Sequence, residues 1–116
     1  MKIYVSHSTN FEYQANLYDP LRANFSELDI FLPHEKGGKL LDTKQIIKES
    51  ELILAEVSYP STGQGIELGW ANTFDIPIVC IYRDGTKPSS ALRIVSHNLI
   101  NYSSADELVH KLRKVI

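Results

Sequence analysis

The apolar positions of this chain alternate between two kinds of pattern. Short runs of strand length cover residues 2–6, 28–32, 52–55, 77–82 and 99–101. Between them, apolar side chains recur at helical spacing. Leu17, Leu21 and Phe25 follow one another at i+4, and Leu41, Ile46 and Ile47 form the face of a weaker helix over 40–50. Ile66, Trp70, Ala71 and Phe74 line a third helix, and residues 89–95 make a short fourth. Leu108, Val109, Leu112 and Val115 line the last, which Ser104 and Glu107 introduce as a capping box. Polar stretches separate these segments: 7–10 after the first strand, 34–38 with two glycines after Pro33, and 83–88 with Asp84-Gly85 as its turn. Pro20 either opens the second part of the first helix, with Asp19 as cap, or kinks it.

Strands that alternate with helices predict an α/β fold, a parallel sheet joined by right-handed crossovers with helices on both faces. The nearly continuous apolar run PIVCIY at 77–82 fits a strand covered on both sides. Five such strands fit a flavodoxin- or Rossmann-like three-layer sandwich of strand order 2-1-3-4-5, in one domain spanning 1–116. In that order ligands sit at the carboxyl ends of the first and third strands. The loops after Ser6 and after Ala55, holding Ser8 and residues 61–67, are therefore expected side by side.

Composition narrows the choices. A chain 43% hydrophobic and 22% charged reads as an ordinary globular domain. A net charge of -2 argues against a nucleic-acid polymer as partner. Lys111, Arg113 and Lys114 cluster, but at a helix end, where cations complement the dipole. Cys80 stands alone inside an apolar run, so no disulfide is expected, and a buried thiol in a cytoplasmic protein is the reading. No apolar stretch nears the roughly 20 residues of a membrane span. The opening MKIYVSHS lacks the apolar region of a signal peptide.

The candidate chemistry lies in AEVSYPSTGQGIELGWANTF, which starts at Ala55. A buried strand ends at Glu56, expected to bind loop amides, and a loop with Ser58, Ser61 and Thr62 follows. A helix is expected to open at 63–66 with Glu67 in its first turn, where the dipole keeps a carboxylate ionised. Gly63 and Gly65 would let a ligand approach the backbone. Tyr4 comes from the first strand and Ser8 from the loop after it, and His34 and Glu35 follow the second strand. There is no Walker motif, no GxGxxG and no nucleophile elbow. His7, His34, His97 and His110 show no metal-ligand spacing with Cys80, so neither metal nor organic cofactor is expected. What remains is carboxylate nucleophilic catalysis of the retaining-glycosidase kind.

The stretch EVSYPSTGQGIELGWA, with the opening KIYVSHS, resembles the nucleoside 2-deoxyribosyltransferase family and is similar above all to its 2'-deoxynucleoside 5'-phosphate N-hydrolase branch. The resemblance implies that Glu67 attacks the anomeric carbon of a small-molecule nucleoside or nucleotide and expels the base, and that Tyr4 lies beside sugar and nucleophile. It also implies that Ser8 and Ser61 hold a 5'-phosphate and that His34 lies near the base. Ser90 would reach the site from the other subunit of a homodimer. Two positions depart from the family pattern. An aspartate is usual twelve residues before the Ala of AEV, but Thr43 stands there and Asp42 is one residue off. Either the helix shifts register and Asp42 acts as the acid, or the acid is absent. Asn10 replaces an arginine, leaving a phosphate to hydroxyls and helix N–H groups. IYVSHS followed by a helix and LDIFLP is also similar to TIR domains, some of which cleave NAD with a glutamate. A nucleotide-binding module without turnover is the reading from a different class.

Overall fold

The computed structural model describes residues 1–35, 42–96 and 98–116. Gly37, Gly38, Leu41 and His97, named above, lie outside the described residues. Strands β1 (Lys2–His7), β2 (Asp29–Phe31), β3 (Leu52–Glu56), β4 (Ile78–Arg83) and β5 (Asn98–Tyr102) form one sheet. Its order is β2-β1-β3-β4-β5, as predicted. Every pairing is parallel, and Ser6 of β1 lies opposite Ala55 of β3.

The helices are α1 (Asp19–Asn24), α2 (Thr43–Lys48), α3 (Thr62–Thr73), α4 (Leu92–Val95) and α5 (Ala105–Leu112). The alternation of side chains along each strand divides the core in two. Ile3, Val5, Leu54, Val79 and Ile81 pack with Leu17, Leu21, Leu108 and Leu112 on the α1/α5 side. Tyr4, Ile53, Ala55, Ile78 and Cys80 pack with Ile47, Leu68 and Ala71 on the α2/α3 side. Successive residues of β1, Ile3 and Tyr4, thus serve opposite walls of one sandwich, and the Cys80 thiol is buried, as expected.

Several local expectations need correction; among them, Val115 lies beyond the end of α5 and is exposed instead of lining that helix. Asp19 makes no capping hydrogen bond at α1; instead a π-helical turn, Gln14–Tyr18, runs straight into that helix. Pro20 has no N–H to give to a carbonyl four residues back and crowds that carbonyl, which favours the wider turn just before it. α3 begins at Thr62, capped by Ser61, whose Oγ accepts the Gln64 N–H at 3.3 Å. Glu67 is therefore in the second turn rather than the first, beyond the reach of most of the dipole's effect. Ile66, expected on the inner face of α3, is 50% exposed, because Leu68 and Ala71 take that face.

Candidate active site

Glu67 projects from α3 toward the carboxyl end of β1, where two hydroxyls meet it. The Tyr4 hydroxyl donates to Oε2 at 2.5 Å and the Ser6 hydroxyl to Oε1 at 2.8 Å. Tyr4 and Ser6 are two residues apart on a strand and so share a face. Tyr4 is fully buried and its ring stacks on Phe31, with centroids 5.7 Å apart. Burial, then the charge of Glu67, push the phenol well above its ordinary range, so it stays protonated and remains a donor. The Thr43 side chain lies near enough to the same phenol to act on it.

His7 is next on β1 and faces the opposite side. Its Nδ1 is 2.7 Å from the Ser8 carbonyl and its Nε2 is 2.6 Å from the Tyr18 hydroxyl. A carbonyl can only accept, so Nδ1 carries the proton and Nε2 accepts from Tyr18. The Tyr18 oxygen in turn accepts the backbone N–H of His34 at 3.0 Å. The chain Ser8–His7–Tyr18–His34 ties the loop after β1 to the loop after β2. Tyr13 and His34 pack on the His7 ring, with centroids 4.8 and 5.3 Å away. Burial lowers the His7 pKa to about 4, so the ring is neutral at pH 7.

A cleft of about 400 Å³ opens where these loops meet, lined by His7, Ser8, Thr9, Asn10, His34, Ser61, Gly63, Gln64 and Glu67. Of the residues expected at a site, Glu67, Ser8, His34, Ser61 and Gly63 are thus gathered around one space, with Tyr4 behind Glu67. Ser8 and Ser61 have local duties as well: Ser8 Oγ accepts the Asn10 N–H at 3.0 Å, and Ser61 caps α3. Gly65 lines an adjoining apolar groove of about 340 Å³, which shares Ser61 and Gln64 with the cleft and runs between α3 and α4. Ser90 is exposed in the turn before α4 and lines neither space. Asp42, considered as a displaced acid, is exposed and caps α2 by accepting the Gln45 N–H at 3.3 Å. Asp42 does not line the cleft, and it is the Thr43 side chain that lies near the Tyr4 phenol.

Ser6, His7 and Gln64 were not singled out as site residues from the sequence. Ser6 was legible from strand alternation, since it shares a face with Tyr4. His7 shows no metal-ligand spacing in the sequence and no other signal, and nothing in the sequence marks Gln64. Glu56 ends β3 as expected, accepting the Ser58 N–H at 2.7 Å, the Ser58 hydroxyl at 3.0 Å and the Tyr102 hydroxyl. It is 1% exposed and does not line the cleft.

No family model matches the chain. It is 40% identical over 65 residues to a Syntrophotalea carbinolica protein assigned as 2'-deoxynucleoside 5'-phosphate N-hydrolase 1, covering 53% of this chain and 46% of that one. It is 38% identical over 61 residues to a 5-hydroxymethyl-dUMP N-hydrolase of Branchiostoma floridae, covering 52% and 58%. The chain thus spans about half the length of the curated relatives it matches. Among solved structures, the Clostridium botulinum CMP N-glycosidase superposes with a TM-score of 0.72 at 20% identity, over 97% of this chain and 99% of that one. A conserved protein from Enterococcus faecalis gives 0.68 at 19%, over 100% and 99%. The structural matches show the fold. The sequence matches bear out the resemblance to the N-hydrolase branch of the nucleoside 2-deoxyribosyltransferase family.

Proposed function

We propose that this chain cleaves the N-glycosidic bond of a 2'-deoxynucleoside or its 5'-monophosphate, with Glu67 as nucleophile. The observation that carries the reading is the Glu67 carboxylate, half-buried on a cleft wall and held by one hydroxyl on each oxygen. In the first step a Glu67 oxygen forms a bond to C1' as the C1'–N bond breaks. The electron pair leaves with the base, which takes up a proton from solvent water. Water then attacks C1' and gives up a proton to solvent as the C1'–Glu67 bond breaks, which restores the carboxylate and releases the sugar; a second base in place of water gives exchange. The relatives' names support the substrate class. Leaving-group protonation is not assigned to Asp42, whose side chain is spent on the α2 cap.

The phosphate arm rests on neutral groups. No lysine or arginine is among the described residues that line the cleft. Ser8, Ser61 and the backbone at the start of α3 would hold a phosphate there. The chain acts as one domain in this reading. A homodimer in which Ser90 of one copy reaches the other's substrate belongs to the same proposal, on the resemblance alone. Light scattering at several concentrations checks that part, and a monomer at all of them would remove it.

The direct test is chromatographic. The protein is incubated with deoxynucleosides and their monophosphates, with and without a second free base. Base release or exchange that Glu67→Ala abolishes is the expected result. A cleft that binds these compounds without turnover, equally in Glu67→Gln, would replace the enzyme by a binding module. Consumption of NAD alone would move the reading to the TIR-like alternative.

A further inference from the structure

The chemistry proposed above needs more than a carboxylate in a cleft; it needs the carboxylate at a defined angle to C1'. The last torsion of a glutamate side chain is broad and close to two-fold, so the plane of a free carboxylate swings. A single hydrogen bond holds one oxygen and leaves the other to move around it. Two donors on different oxygens fix the plane. Here the Tyr4 hydroxyl takes Oε2 and the Ser6 hydroxyl takes Oε1. A carboxylate has about four lone-pair sites, so these two bonds leave others to meet a substrate.

Ser6 is also held by the helix that it serves. Gln64, one turn before Glu67 on α3, is only 6% exposed, and its Nε2 donates to the Ser6 carbonyl at 3.1 Å and to the Glu56 carbonyl at 2.7 Å. That amide closes the ends of β1 and β3 against the start of α3. Ser6 therefore receives a hydrogen bond from α3 at its backbone and returns one to α3 through its side chain. Ser6 itself is fully buried and does not line the cleft. We infer that Ser6 is a positioning residue for Glu67, the second hydroxyl that sets the plane of the nucleophile, with Gln64 holding Ser6 in place. This inference rests on the glycosidase reading of the same site.

The test is Ser6→Ala in the full chain, beside wild type and Glu67→Ala. The bond lost is one to a charged group, so kcat is expected to fall by about ten- to a hundredfold. KM stays within about twofold, because the hydroxyl does not touch substrate. Ser6→Cys, of similar size but a weaker donor, is expected to fall between the two. A purely structural serine would instead lower the melting temperature and leave kcat per folded molecule unchanged. A crystal structure of Ser6→Ala gives a readout independent of activity: the Glu67 carboxylate is expected rotated or in two orientations. Wild-type kcat in Ser6→Ala, or a carboxylate that has not moved, overturns the inference. Absence of base release in the wild type would defeat the glycosidase reading alone, and the crystallographic comparison would still decide whether Ser6 orients Glu67. Should Ser6→Ala not fold, Ser6→Cys carries both measurements.

Discussion

Tyr4 shows how one residue can belong both to the core and to the candidate site. Its ring is packed against Phe31, and its hydroxyl reaches Glu67. Tyr4→Phe keeps the packing and removes the donor. Steady-state kinetics should then show kcat lowered by roughly ten- to a hundredfold, with a melting temperature near that of wild type. His7 makes a different prediction. Its ordinary pKa of 6.5 falls to about 4 in the folded chain because burial opposes charging the ring. Between those values the unfolded chain binds a proton that the folded one does not, so stability rises with pH. The contribution is complete above 6.5 and is lost as pH falls toward 4; it amounts to roughly 3 kcal/mol. Urea melts across that window should show the slope, and His7→Gln should flatten it.

At the scale of elements, the ends of α3 matter most. Its start is capped by Ser61 and pinned by Gln64. Its end is a left-handed turn: Asp75 has a φ of 57°, its N–H reaches the Asn72 carbonyl at 3.2 Å, and the Ile76 N–H reaches that of Ala71 at 2.9 Å. This is the hydrogen-bond pair of a Schellman motif, in which glycine is the usual residue. Asp75→Gly is expected to stabilise the protein by about 0.5–1 kcal/mol, measurable by denaturant melts, since it removes the side-chain clash of that conformation. Ser61→Ala should cost about 1 kcal/mol through the lost cap.

Elements of this kind also show what a sequence can disclose. Periods of two and of 3.6 sufficed for the strands and for most of the helix faces, and the rule for sheets of alternating strands and helices supplied the strand order. They put Tyr4, Ser8, Ser61 and Glu67 at one end of the sheet. They did not disclose the turn of α3 on which Glu67 sits, because Thr62 and the two glycines after it carry no periodic signal. Nor did they disclose what Thr43 or Gln64 touches. Those contacts join residues far apart in the chain, and a local pattern carries no information about them.

At the scale of the molecule, the cleft lies where β1 has neighbours on both sides whose crossovers run in opposite directions, and the loops part there. Among the described residues, the walls come from three loops and one helix. A ligand that binds this cleft therefore ties together elements from both halves of the core. A deoxynucleoside monophosphate at a hundred times its Kd should stabilise the fold by about 2.7 kcal/mol. A thermal melt with and without the compound would show it, and Glu67→Gln should retain the shift if that side chain acts on bound substrate rather than in binding it.

The two-sided use of β1 has a consequence for quality control. At its end Ser6 turns to Glu67 while His7 turns to Tyr18. A slip of one residue against β3 would present the imidazole to the carboxylate and the serine to the aromatic cluster. Such a chain could keep much of its secondary structure and still lack both the held Glu67 carboxylate and the framed cleft. Under the proposed function, turnover per molecule is thus a gauge of correct strand alignment, and a mis-threaded copy would be silent rather than sluggish.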